Sequence, residues 1–377
     1  YQVNQKQAVI EKEGIILEGL TVKDSTGDTE LKAGEDYSAA FDSTTGFLTI
    51  TMLAGGKGAA ATAIKVSGKV IDPSKVTKED VIGAVDPSTG AETGAQVIRQ
   101  VYPRLGIAPG LILAPGWSQI PEVGLALAAK AAKINGVYSA MALLDLDTAK
   151  AKKYTDTKSV KEESGYTSPF CYPLWPCDRV GEYILAKSAV AGAMIQYMAS
   201  DNEDVPNQSP SNHLLGVGGQ CLEDGTEVYL DQDQANTVNG YGVTTAINQN
   251  GYRLWGNYTG AYPASSDAKD IWFAVRRMFS WQGNNFIQTY FDEVDDPMNN
   301  VLVQSVVDSE NIRCSAYAPK YWAGASIEYK SDDNPKTAIL AGTMKFRQHI
   351  APYTPAQEIV DIIDYDTDTL AAAVGGN

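Results

Sequence analysis

The sequence contains few of the side chains that catalytic and metal sites use most often. Its 377 residues include 2 histidines and 4 cysteines. Histidine is the commonest general acid or base, but His213 falls in a loop pattern, His349 falls in an exposed strand pattern, and no serine lies in a G-x-S-x-G turn. The cysteines lack the spacing and histidine partners of a zinc site. We expect reduced, mostly buried thiols at Cys171, Cys177, Cys221 and Cys314.

Long apolar runs and an excess of positive charge are also absent. No segment approaches the roughly 18–20 apolar residues that a membrane span requires. The chain has 30 Lys and Arg against 46 Asp and Glu, which gives a net charge of −16. Binding to duplex DNA or to anionic lipid depends on clustered cations. We therefore expect neither a nucleic-acid partner nor a membrane partner.

Three short segments resemble cofactor or metal motifs but are incomplete. Gly55-Gly-Lys-Gly58 has glycine where a phosphate-binding loop needs serine or threonine. Gly216-Val-Gly-Gly219 lacks the third glycine and the helix of a dinucleotide site. Asp231-Gln-Asp233 lacks the final glutamate of a calcium loop. We expect no cofactor, no bound metal and no catalytic residue.

The hydrophobic pattern predicts three domains. Residues 1–76 alternate β-branched runs with turn residues, which is typical of a small β-rich sandwich or barrel. Residues 77–265 alternate helical and strand patterns, and the strand–helix–strand unit at 110–146 predicts a parallel sheet covered by helices. The polar segment 147–166 predicts an exposed excursion.

Residues 266–377 predict an α+β domain with a terminal arm. A long amphipathic helix should begin near Ser266, and a second should follow Asp296-Pro297. Two strand patterns, Thr343–Ile350 and Glu358–Tyr365, predict a terminal β-hairpin joined through two prolines. Such a hairpin would leave an edge with unpaired backbone groups.

Several motifs occur in a characteristic order along the chain. They are Val81-Ile-Gly-Ala-Val-Asp86, Leu113-Ala-Pro-Gly-Trp117, Ser209-Pro-Ser-Asn212, Tyr252-Arg-Leu-Trp-Gly-Asn257, Phe273-Ala-Val-Arg-Arg-Met-Phe279, Asp308-Ser-Glu-Asn311 and Thr354-Pro-Ala-Gln-Glu358. In this order the chain resembles the tail sheath proteins of contractile-tailed bacteriophages and of phage-like contractile particles (prophage or tailocin type). The similarity covers Val81 to Tyr365.

The resemblance implies an α/β core that is similar to the subtilisin-like α/β sandwich, and a structural role without enzymatic activity. It also implies hexameric rings stacked as a helical sheath around a tail tube protein, bounded by baseplate and tail terminator proteins. Such a protein would be made in the bacterial host cytoplasm and would reside in the virion tail. Contraction would drive the tube through a cell envelope by rearranging subunits, without nucleotide.

In this family the terminal arms add strands to neighbouring subunits. The resemblance therefore implies inter-subunit strand exchange through the apolar residues of the two terminal strand patterns, Phe346, Ile350, Ile359, Val360, Ile362 and Ile363. It also implies a tube-facing C-terminal helical region, where we place Arg276 and Arg277. A chain without an N-terminal arm should be monomeric, because half of each strand exchange would be missing.

Two other functions are weighed against this one. A hydrolase on the same kind of core would need a catalytic histidine, and the two histidines present fit poorly. A surface adhesion module would use the β-rich domain to bind a receptor. Both hypotheses predict a chain that does not polymerise.

Overall fold

The computed structural model describes residues 1–375 as a mixed α/β protein with several small sheets. The contacts divide the chain into two compact units, Tyr1–Thr77 and Lys78–Asn377. The strands are β1 Gln7–Ile10, β2 Ile15–Asp24, β3 Glu30–Leu31, β4 Tyr37–Phe41, β5 Leu48–Met52, β6 Ile64–Val70, β7 Leu111–Leu113, β8 Met141–Asp145, β9 Cys171–Leu174, β10 Cys177–Val180, β11 Tyr183–Leu185, β12 Gly219–Cys221, β13 Thr245–Asn248, β14 Tyr252–Trp255, β15 Trp322–Glu328 and β16 Arg347–Pro352. The helices are α1 Lys78–Ile82, α2 Val101–Leu105, α3 Pro121–Ala132, α4 Thr157–Ser164, α5 Lys187–Ser200, α6 Gln232–Gly240, α7 Ala268–Ile271, α8 Phe273–Thr289, α9 Asn300–Ala316, α10 Lys336–Leu340 and α11 Thr367–Ala373.

The first unit consists of two three-stranded antiparallel sheets, β1-β5-β4 and β3-β2-β6. Alternate residues of β5, namely Leu48, Ile50 and Met52, are buried, as expected for a strand with one face on a core. The Gly55–Gly58 segment is a turn, in which the Lys57 backbone N–H donates to Asp36. It leads into strand β6, whereas a phosphate-binding loop leads into a helix.

The second unit is built on a parallel sheet of β7, β8 and β9, which confirms the predicted strand–helix–strand unit. All five residues of β8 are buried because helices cover both faces of the sheet. Ala142 and Leu144 pack in the cluster that contains α3 residues, whereas Met141 and Leu143 pack in the cluster that contains α5 residues.

Three predictions in this unit are wrong. The segment 147–166 is not an exposed excursion, because its residues Ala151, Val160 and Tyr166 are buried in the core and α4 lies within it. The sequence pattern from Glu182 to about Ser200 predicts a helix, but α5 begins only at Lys187, since β11 pairs with β10 before it. The sequence pattern also predicts a helix over Thr93–Tyr102 that Pro103 would end. Pro103 instead lies inside the first turn of α2, where its missing N–H costs no hydrogen bond.

The C-terminal part of this unit packs α8, α9 and the β15–β16 sheet around Met278, Cys314, Tyr321 and Trp322. The long helix predicted from Ser266 is interrupted at Trp272, whose extended backbone separates α7 from α8. The second helix begins later than predicted, because the Asn299 side chain accepts from the Leu302 N–H and supplies the N-terminal cap. A domain boundary between residues 265 and 266 stays a prediction.

Candidate functional site

The β15–β16 sheet carries the segment in which strand exchange was predicted. The two strands are antiparallel, pairing Glu328 with Arg347, Ser326 with His349 and Ala325 with Ile350, and the register shifts between Trp322 and Gly324. The pairing of β16 with β15 contradicts the predicted terminal hairpin. The strand at Thr343–Ile350 does not pair with Glu358–Tyr365 but with β15, about twenty residues upstream.

The exposed segment after β16 is here called the arm and covers residues 353–366. It has no regular secondary structure, and α11 follows it. Two hydrogen bonds attach its first part, from Tyr353 Oη to the Pro319 carbonyl (3.1 Å) and from Tyr258 Oη to Gln357 (2.6 Å). The predicted hairpin does not form, because the arm makes no ladder with any described strand.

The predicted exchange residues therefore fall into two groups. Phe346 and Ile350 lie on the inner face of the sheet. The ring of Phe346 lies 6.3 Å from that of Phe286 and 5.7 Å from that of Tyr329, and Ile350 packs against the Trp322 cluster. The arm residues are among the most exposed apolar side chains of the described chain: Ile359 (89%), Val360 (69%), Ile362 (80%) and Ile363 (86%).

A buried polar network fixes the position of β16. The carboxylate of Glu310 is fully buried in α9 and accepts hydrogen bonds from Gln282 of α8 (2.6 Å), Arg313 and Tyr290 (3.1 Å). The Gln282 amide also donates to the side-chain oxygen of Gln348 in β16 (3.2 Å). Burial raises the pKa of Glu310, but the hydrogen bond and charge of Arg313 outweigh it and leave this pKa below its ordinary value. Nothing in the sequence pattern marked Gln282 or Glu310 as partners.

Arg276 and Arg277, the predicted tube-facing residues, have different environments. Arg276 pairs with Asp270 (3.2 Å), and its guanidinium lies 4.9 Å from the centre of the Phe170 ring. Arg277 makes no ion pair with any described residue, and its guanidinium lies over Phe273. Burial lowers the pKa of Arg277 to about 10. Arg277 also lines a cleft of about 630 Å³ between the 106–110 loop and α8.

A second polar cluster lies at the carboxyl end of β8, where α/β enzymes often bind ligands. Asp145 accepts hydrogen bonds from the Ser188 backbone N–H (2.8 Å) and the Ser118 hydroxyl (3.0 Å), and all three residues are buried. Burial raises the pKa of Asp145 against the opposing effect of these hydrogen bonds. A hydrolase would need a histidine in contact with such a serine.

The two histidines lie elsewhere. His349 contacts Glu328 on the exposed face of the β15–β16 sheet (3.0 Å), and burial together with Arg253 lowers the pKa of His213. Neither is hydrogen-bonded to a serine in the described residues. The Asp145 cluster connects β8, the 114–120 loop and α5 by hydrogen bonds. Among residues 1–375, no group of three or more His, Cys, Asp and Glu side chains is placed to hold a metal ion, and no helix is long and apolar enough to cross a membrane.

Curated relatives of the chain are tail sheath proteins. The tail sheath protein of Burkholderia phage BcepMu is 26% identical over 375 residues, covering 95% of this chain and 76% of that protein. The tail sheath protein of Escherichia phage P2 is 24% identical, covering 75% and 69%. A putative prophage major tail sheath protein of Pseudomonas aeruginosa is 29% identical, covering 58% and 54%. The chain matches no protein-family model.

Solved structures of similar fold come from contractile particles. The contracted sheath complex of the extracellular contractile injection system PVC has a TM-score of 0.58 at 17% identity, covering 74% of this chain and 76% of that one. A chain of the anti-feeding prophage baseplate has a TM-score of 0.56 at 17% identity, covering 80% and 83%. The sequence relatives and the fold agree with the order of motifs along the chain. The chain is a homologue of the tail sheath proteins of contractile phages and prophages.

Proposed function

We propose that this protein is the structural subunit of a contractile tail sheath and polymerises by exchanging strands between copies. The observation that carries this proposal is that one chain contains both an open strand edge and an exposed apolar segment. Among the strands of residues 1–375, β16 pairs only with β15, and the arm exposes four large β-branched side chains that join no ladder there. Exposed edges and free apolar strands are the two components of β-augmentation.

The charges of the two components are complementary. The arm carries Glu358, Asp361, Asp364 and Asp366 and no lysine or arginine. The outer face of β16 carries Arg347, which pairs with Asp333 (2.6 Å), and His349, which contacts Glu328 (3.0 Å), and both side chains remain exposed. Opposite charges that face each other across paired strands stabilise a sheet and fix its register. An arm from one copy is therefore a suitable strand for β16 of another copy.

In the assembly that we propose, rings of six subunits stack as a helical sheath around a tail tube protein, between baseplate and tail terminator proteins. The core takes a subtilisin-like α/β sandwich within a subunit of three predicted domains. During contraction the subunits rearrange as rigid bodies, and the contacts of the arms serve as hinges. Energy stored in the extended lattice replaces a nucleotide, so the chain has no enzymatic role. The protein is made in the host cytoplasm and works in the virion tail.

The tube-facing surface is placed on α8. Arg277 supports this placement, because its charge is uncompensated within the described chain and borders an open cleft. Arg276 is already paired with Asp270, so it contributes less to a partner. A carboxylate on the tube protein would complete the pairing of Arg277.

Electron microscopy tests the proposal. The full chain, expressed with the tube protein of the same particle, should form tubes or stacked rings in negative stain. The double variant Ile359→Asp, Ile363→Asp should stay monomeric by light scattering, because charged side chains cannot enter a neighbour's sheet. Leu370→Asp, an equally drastic change at an exposed site of α11, is the matched control and should still assemble. Assembly of the double variant to the wild-type extent would refute strand exchange.

A further inference from the structure

Two of the four cysteines face each other across neighbouring strands. Cys177 is the first residue of β10, Cys221 is the last residue of β12, and the antiparallel register pairs the two residues directly. Side chains at directly opposed positions of a sheet lie on the same face. The two thiols are therefore neighbours, although the segment 178–220 separates them along the chain. The other two cysteines lie on different elements, Cys171 on β9 and Cys314 on α9.

The backbone hydrogen bonds beyond β12 define the geometry of this pair. Two of them flank the bridge between Cys221 and Glu227. They run from the Leu222 N–H to the Thr226 carbonyl (2.8 Å) and from the Val228 N–H to the Gln220 carbonyl (2.9 Å). Residues flanked in this way direct their own N–H and C=O groups to the opposite side, so those of Cys221 face β10 and Cys177. The Cα atoms of such a hydrogen-bonded pair lie about 5.5 Å apart, within the range that disulfides most often join.

Only a small movement is needed to join the two thiols. Directly opposed Cβ atoms in a sheet lie about 4.5–5.5 Å apart, and a disulfide needs about 3.8 Å. Strand β12 has only three residues and lies at one end of the β11-β10-β12 sheet. Because β10 is the central strand, β12 can approach it by about 1 Å without disturbing the pairing of β10 with β11.

One of the two thiols is accessible to a reactant. Cys177 is half-buried and lines a cleft of about 280 Å³ beside Asp145, whereas Cys221 is fully buried. Burial, together with the nearby groups of Asp145 and Cys221, raises the pKa of the Cys177 thiol to about 12. The thiolate is the nucleophilic form of cysteine. The pair therefore reacts slowly at neutral pH, and Cys177 is the thiol that reacts first.

We propose that Cys177 and Cys221 are a redox modification site, at which an intramolecular disulfide forms when the protein meets a small-molecule disulfide outside a reducing compartment. The Cys177 thiolate attacks one sulfur of the small disulfide, which gives a mixed disulfide and releases one small thiolate. The Cys221 thiolate then attacks the Cys177 sulfur, which forms the Cys177–Cys221 bond and releases the second small thiolate. Each cysteine loses one proton to a released thiolate. The cysteine pair is oxidised by two electrons, and the small disulfide is reduced to two thiols.

The disulfide closes the segment 178–220, which contains β11 and α5. A cross-link around a loop of this length restricts the unfolded chain and so stabilises the folded one. Reducing compartments keep such thiols free, and oxidising media allow the bond to persist. The chain therefore gains stability only after it leaves the reducing compartment. This inference concerns the single chain and does not depend on polymerisation.

Thiol counting on the full chain tests the inference. Protein purified with reductant is incubated with oxidised glutathione at pH 8.5, then denatured and alkylated. We expect two of the four thiols to escape alkylation, the intact mass to fall by two hydrogen atoms, and peptide mapping to link Cys177 to Cys221. The melting temperature should rise by about 5 °C on oxidation and return to its first value with reductant.

Two serine variants separate this pair from the other cysteines. Cys314→Ser, on α9, is the matched control and should oxidise as the wild type does. In Cys221→Ser, a glutathione adduct should remain on Cys177, and oxidation should no longer raise the melting temperature. Alkylation of all the thiols in oxidised wild-type protein, a lasting glutathione adduct on its Cys177, or a bond between any other two cysteines would overturn the inference. These wild-type results decide the matter even where a variant fails to fold.

Discussion

Arg313 binds the buried carboxylate of Glu310 with two donors, one from Nε to Oε2 at 2.9 Å and one from a terminal nitrogen to Oε1 at 2.5 Å. The two residues lie one helical turn apart on α9. The same carboxylate receives the amides of Gln282 from α8 and Gln348 from β16. The Glu310 carboxylate of α9 therefore connects β16 to both α8 and α9.

Acid should weaken this attachment. The pKa of Glu310 lies below its ordinary value of 4.5 in the folded protein. A lowered pKa contributes stability that is fully present above the unfolded-state value and is lost as pH falls through the folded-state value. Glu310→Gln should cost about 1–3 kcal/mol at pH 7, and urea unfolding should show this difference shrinking as pH falls below about 4.5. A difference that stays constant with pH would mean that the charge of Glu310 does not stabilise the fold.

The buried ion pair of Asp178 and Lys187 should show strong coupling. Both side chains are fully buried, and one carboxylate oxygen of Asp178 has no hydrogen-bond partner within the described part of the chain. Removing one member leaves an uncompensated charge in the interior, so Lys187→Met should cost about 3–5 kcal/mol. The double variant Asp178→Leu, Lys187→Met should cost clearly less than the sum of the single variants. A double-mutant cycle by chemical denaturation checks this, and additive costs would contradict it.

Two helical glycines should respond in opposite directions to alanine. A Cβ at Gly124 in α3 would lie 2.0 Å from the Tyr166 hydroxyl, which is itself hydrogen-bonded to the Ser118 carbonyl. Gly124→Ala should therefore lower the melting temperature. Gly283 in α8 is exposed and has nothing within 4 Å of such a Cβ, so Gly283→Ala should stabilise the protein by about 0.5–1 kcal/mol. Calorimetry of both variants measures the two melting temperatures. A lower melting temperature for both variants would show that the free space around the added Cβ does not determine the change in stability.

Loss of the Asn311 carboxamide should destabilise the C-terminal sheet. Asn311→Ala leaves the N–H and C=O of Ile327 unpaired and should cost about 1–3 kcal/mol. Asn300→Ala, at an exposed position at the start of the same helix, is the control and should be within about 0.5 kcal/mol of wild type. Exchange of the Ile327 amide should accelerate in the first variant only. Unchanged exchange in Asn311→Ala would mean that the side chain does not pair with Ile327.

The sequence predicts local patterns of this protein better than its long-range pairings. Residues 110–146 carry enough periodicity and turn residues to predict two parallel strands and a helix. The Glu358–Tyr365 pattern also looks like a strand, and the error was to choose its partner within the same chain. Sequence alone does not distinguish a strand that pairs internally from one that stays unpaired, because both have the same alternation and β-branched content.

The buried polar contacts could not be predicted from the sequence either. The segment 147–166 is rich in lysine and threonine, yet Lys161 is buried and donates to the carbonyls of Tyr241 (2.9 Å) and Tyr262 (2.6 Å). Those partners lie 80 and 101 residues away along the chain. Asn311 lay within a recognised motif, but its bond to Ile327 depends on the fold that brings α9 beside β15.

Cryo-electron microscopy of the protein assembled with its tube protein would show the strand exchange directly. We predict a helical sheath in which residues 358–365 of one subunit form a strand along the outer edge of β16 in another. The inner-face residues Phe346 and Ile350 should keep the contacts that they have in the single chain. A particle in which each arm folds back on its own β16, or a protein that stays monomeric with the tube protein present, would contradict it.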